Sequence, residues 1–123
     1  MIDAPASRVR GTPALLAAVV LAALLVRFWG IGFGLPHTLC RPDERTIVKV
    51  ALGFFSGDPS PHFLAYPTFY MYVLFGAYLL LYAPGRLLRG YRTPADLLPD
   101  LGSDPTLLFL IDRSLAAALG TAT

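Results

Sequence analysis

The chain has 123 residues, 55% of them hydrophobic and 15% charged, with a formal net charge of +2. A soluble domain commonly carries about a quarter charged residues, and so small a net charge, with no run of Lys or Arg, excludes a phosphate-tracking nucleic-acid surface. The single cysteine, Cys40, excludes an internal disulfide and a cysteine metal site, and reads as a small filler residue.

The apolar residues come in blocks, and a block of about 20 reads as a membrane span. The tail up to Thr12 is polar and carries Arg8 and Arg10. The first block covers about residues 14–35. It runs on too long for a signal peptide, and no small-x-small cleavage site follows it. The second covers about 67–84 without a charge, with tyrosines near both ends, as an interfacial aromatic belt requires. The third opens near Thr106 and is still apolar at Thr123, so the chain reads as the N-terminal fragment of a longer one. The predicted fold class is therefore all-α: polytopic transmembrane helices forming one N-terminal membrane domain over residues 1–123.

Basic residues set the expected orientation. Arg8 and Arg10 in the tail, with Arg86, Arg89 and Arg92 in the loop 85–105, outnumber Arg41, Arg45 and Lys49 in the loop 36–66. The positive-inside rule then places the tail and the later loop in the cytoplasm and the loop 36–66 outside the plasma (inner) membrane.

That outer loop holds a helix candidate over about 43–56. Pro42 and Asp43 suit a helix start. Ile47, Val50, Ala51 and Phe54 share one apolar face, and Gly57-Asp58-Pro59 ends the element. Such a helix is expected to lie in the membrane interface.

The same loop carries the candidate chemistry. Asp43 and Glu44 form an acidic pair just outside the first span, able to take a proton from a hydroxyl acceptor; the plainer alternative is an N-cap at Asp43 and an arginine partner for Glu44. Arg27, near the outer end of the first span, either snorkels to headgroups or helps bind a phosphate. His62 could hydrogen-bond a phosphate or sugar, or be structural. It has no second histidine nearby, so no metal site is indicated. Asp112 and Arg113 read as a mutually neutralising pair near the cytoplasmic end of the third block. No phosphate loop or nucleophile elbow appears.

Four landmarks now line up in order: RFWGIGFGLP, then RPDE, then SGDPSPHFLAYPTFYMY, then DRSLAAALGTAT. Together they resemble the N-terminus of bacterial glycosyltransferase family 39 proteins of the GT-C superfamily, over residues 26–123. The resemblance implies a long polytopic enzyme. It would move a sugar, mannose among the candidates, from a polyprenyl-phosphate donor to an acceptor at the extracytoplasmic face. Carried over by motif, Asp43 is the catalytic base with Glu44 beside it. The candidate substrate-binding residues, offered by type and position rather than by motif, are Arg27, Arg41, Arg45, His62 and Tyr66, with Lys49 a further cation for the leaving phosphate. The implied partners are the lipid donor and membrane lipids, with no nucleic acid. No residue pattern specifies a cofactor or a divalent metal, and the acceptor is left unspecified. Such a fragment alone would be inactive. The competing reading is a small non-enzymatic membrane accessory protein whose outer loop binds a partner.

Overall fold

A computed structural model describes residues 12–97, 99 and 104–123, and among these every regular element is helical. The basic tail with Arg8 and Arg10 lies outside the described residues. The α-helices lying wholly within the described residues are, in chain order, α1 (Thr12–Phe28), α2 (Pro42–Gly53), α3 (Thr68–Leu88) and α4 (Thr106–Ala122).

Helix α1 has 17 residues, roughly 26 Å at 1.5 Å per residue, and buries none of them. The apolar run predicted a span to residue 35, but the helix stops at Phe28. Its continuation, WGIGFG, becomes a series of tight turns in which Ile31, Phe33 and Leu35 donate N–H bonds to Phe28, Gly30 and Gly32. Gly30 and Gly34 sit at φ +74 and +80, a region only glycine enters at no cost. At Gly34 space matters as well, because a Cβ there would stand 2.8 Å from the Cys40 Cβ.

Helix α3 has 21 residues, roughly 31 Å, and matches a bilayer core of about 30 Å. Among the described residues it is the one helix long and apolar enough to cross a membrane. It continues one turn past the expected end at residue 84, with Pro84 inside the helix. Gly90, at φ +71, then reverses the chain.

Helix α2 begins at Pro42 and runs into a 3-10 turn, Phe54–Ser56, closed by Gly57 at φ +90. Its packed face differs from the expected one. Ala51 and Phe54 are buried as predicted, but Val48 is buried with them, while Ile47 and Val50 are half-buried. The reason is that α2 packs on α3 and α4 together rather than on one flat surface. Val48 and Ala51 close a core with Leu74, Tyr78, Leu108 and Phe109. Phe54 stacks on Tyr72, with ring centres 5.0 Å apart, and meets the Phe75 ring edge-on.

The chain beyond Gly90 folds back along α3. Tyr91 stacks against Tyr82, and a 3-10 turn, Pro94–Asp96, comes into contact with the turn Phe54–Ser56. Segments from the two loops expected on opposite sides of a membrane therefore touch in this arrangement.

Candidate functional site

The first turn of α2 carries both acidic residues, and each has a separate partner. The N-cap position is Arg41 and Pro42 is the first helical residue; no side chain caps the helix. Asp43 is thus not the N-cap. Its Oδ1 accepts a hydrogen bond of 2.7 Å from the Tyr66 hydroxyl, which approaches from the turn before α3. That bond, to a carboxylate, pushes the Tyr66 phenol above its ordinary value. Asp43 Oδ2 has no hydrogen-bond partner among the described residues, and the residue is exposed.

Glu44 sits between two arginines. Its Oε1 takes Arg41 at 2.9 Å, and its Oε2 takes the Nε and Nη2 of Arg113, each at 2.9 Å. Arg113 is 6% exposed, and its remaining nitrogen donates to the Ile31 and Phe33 carbonyls at 2.6 and 2.8 Å. One guanidinium therefore ties together the glycine-rich turns after α1, the start of α2 and the middle of α4. A buried arginine satisfied by a carboxylate and two carbonyls meets the requirement that buried charges be paired and hydrogen-bonded.

This corrects the expected Asp112–Arg113 pair. Neighbouring residues on a helix point about 100° apart and do not face each other. Asp112, 3% exposed, takes the Tyr70 hydroxyl at 2.6 Å instead, while Arg113 turns to the α2 side. Arg113 also lies beside the loop that follows α1, not at an end of the molecule remote from it.

These groups border one open cleft of about 360 Å³, lined by Arg27, Arg41, Glu44, Tyr70, Asp112 and Arg113 on its polar side and by Trp29, Ile31, Ile47 and Ala117 on its apolar side. Arg27 passes close to Gly120 on its way there: a Cβ at that position would stand 3.4 Å from the Arg27 Nε, about van der Waals contact. Chemically, the cleft offers cations for an anionic group and apolar walls beside them. Neither Asp43, one position before Glu44 on α2, nor its partner Tyr66 lines it.

The other expected residues lie elsewhere. Arg45 and Lys49 border a different groove, with Phe63. His62, a non-glycine residue at φ +48, bonds through Nε2 to Asp58 at 2.7 Å within its own turn. That contact, with the Ser60 N–H on the other oxygen, holds the Asp58 carboxyl below its usual range. Tyr70, Asp112 and Arg113 were not singled out as site residues by the sequence. The available signal was the charged pair inside an apolar block, which is a site hypothesis by default.

Compared with known proteins, the chain matches no family model, no curated protein and no solved structure.

Proposed function

We propose that this chain is the first part of a multi-pass membrane glycosyltransferase of the GT-C kind, moving a sugar from a polyprenyl-phosphate donor to a hydroxyl acceptor at the extracytoplasmic face. The observation that carries the reading is the division of labour in the first turn of α2. Glu44 is committed to Arg41 and Arg113, whereas Asp43 keeps an oxygen without a partner among the described residues. A general base must have a lone pair within reach of the acceptor proton. Asp43 meets that condition, Tyr66 orients it, and Glu44 serves to fix the turn on which it stands. The neighbouring arginines, Arg27 and Arg41, supply positive charge for a leaving phosphate.

Membrane insertion is supported by the length and composition of α3 and by α1, an apolar helix that buries none of its residues and leaves most of them exposed. Apolar surface of that extent needs lipid or further protein against it. The proposed location is the plasma (inner) membrane, with the segment 36–66 outside, an orientation that requires the turn Pro94–Asp96 to leave its contact with Phe54–Ser56 once α3 crosses the bilayer. The test is sugar transfer from a radiolabelled polyprenyl-phosphate sugar in membranes expressing the reading frame that contains this chain. Transfer above vector-only membranes supports the enzyme; none, with the protein inserted, favours the accessory-protein reading.

A further inference from the structure

Arg45 and Lys49 stand one turn apart on α2, about 100° and 140° around the helix from Glu44, and so point away from the cleft beside that residue. Both are exposed, and neither has a hydrogen-bond or ion-pair partner among the described residues. In this they differ from Arg41 and Arg113, which Glu44 holds.

Apolar surface lies on both sides of the pair. One groove, of about 460 Å³, is walled by Leu39, Val50 and Phe63. The other, of about 220 Å³, passes between Val48 and Leu52 of α2 and Leu108 and Phe109 at the start of α4. Two cations at the mouth of a channel lined by aliphatic and aromatic carbon complement a phosphate diester joined to hydrocarbon. A free anion would use the cations and leave the grooves wet; an apolar peptide would leave the cations without a counter-charge.

We propose that Arg45 and Lys49 bind the phosphate of an anionic membrane phospholipid, with an acyl chain in the groove between α2 and α4. The site is separate from the one beside Glu44 and rests on membrane insertion, not on sugar transfer. Its effect is to anchor α2 at the bilayer surface by its outward flank while the inward flank carries the acidic pair.

Native mass spectrometry of the purified protein tests this, with dioleoyl-phosphatidylglycerol and dioleoyl-phosphatidylcholine as probes. Wild type should bind the glycerol lipid on the order of tenfold more tightly, as two basic residues at an anionic headgroup predict. The double variant R45Q/K49Q should bind both lipids alike, at the wild-type level for phosphatidylcholine, which also shows that the groove is intact. The control R86Q/R89Q should keep the preference. Equal binding of both lipids by wild type, a preference that survives R45Q/K49Q, or an equal loss in R86Q/R89Q would each overturn the proposal. A polyprenyl monophosphate that displaces phosphatidylglycerol from the wild type but not from R45Q/K49Q would overturn it too, by making the pair part of a donor site.

Discussion

Glu44 and Arg113, 69 positions apart in the chain, share two contacts of 2.9 Å, and the same guanidinium bonds two carbonyls of the turns after α1. Removing one partner of a buried pair strands the other, at a cost of about 3–5 kcal/mol. Arg113→Ala is therefore expected to lose stability in that range. Arg113→Lys should lose part of it, since an ammonium lacks the fork that reaches carboxylate and carbonyls together. Unfolding in detergent by denaturant checks both, and a double-mutant cycle with Glu44→Gln should show strong coupling. Additive single effects would mean the pair contributes little.

Gly85 is where the Tyr91 ring lies directly on α3, so close that a Cβ would overlap its edge. Gly85→Ala should displace the ring and lower stability by about 1–3 kcal/mol, the usual cost of overpacking. In a Tyr91→Ala background the same substitution should cost nothing, or help slightly through helix propensity. Thermal melts of the four proteins make the comparison.

Asp58 is held below its ordinary value of 3.8, first by the bond from His62 and then by the Ser60 N–H. A carboxyl depressed on folding stabilises the folded turn fully above its unfolded value. That contribution is lost as pH falls through the folded value. The 13C titration of the Asp58 carboxyl should accordingly have its midpoint below 3.8 in the native protein and move up toward it in His62→Ala. No movement would mean that the Ser60 N–H alone sets the shift.

The contact between the turns Phe54–Ser56 and Pro94–Asp96 and the placement of the two loops on opposite faces of a bilayer exclude each other. Cysteines introduced at Ser56 and Pro94, in a Cys40→Ser background, distinguish them. The arrangement described here predicts oxidative cross-linking within one chain in native membranes. Opposite faces predict none, together with labelling of Ser56→Cys alone by an impermeant thiol reagent in intact cells.

Much of the helical layout was readable from composition, because blocks and periodicity act locally. The charge-free run 67–84, which covers most of α3, and the Gly57-Asp58-Pro59 stop after α2 were legible for that reason. The end of α1 was not, since hydropathy counts WGIGFG as apolar while its glycines turn the chain. Val48 was missed because a single-face pattern suits a helix on one surface, and α2 rests on two neighbours. At the site, Asp43 and Glu44 stood out by residue type, but their partners did not. Adjacent charges such as Asp112 and Arg113 look paired in a line of text, although a helix turns them apart. The partners they take, Tyr70 and Glu44, come from other helices.

The proposal that Asp43 is the base is tested most directly by Asp43→Asn in the longer protein that the sequence resemblance implies. The substitution keeps the shape and can still accept the Tyr66 hydroxyl, but it removes basicity. General-base catalysis contributes about 10²- to 10⁴-fold, so turnover with a polyprenyl-phosphate sugar donor should fall by that order. Tm should stay near that of the wild type. Glu44→Gln should instead lower stability along with activity, because it loosens Arg113 and Arg41. Turnover of Asp43→Asn close to that of the wild type would contradict the account and remove Asp43 from the chemistry.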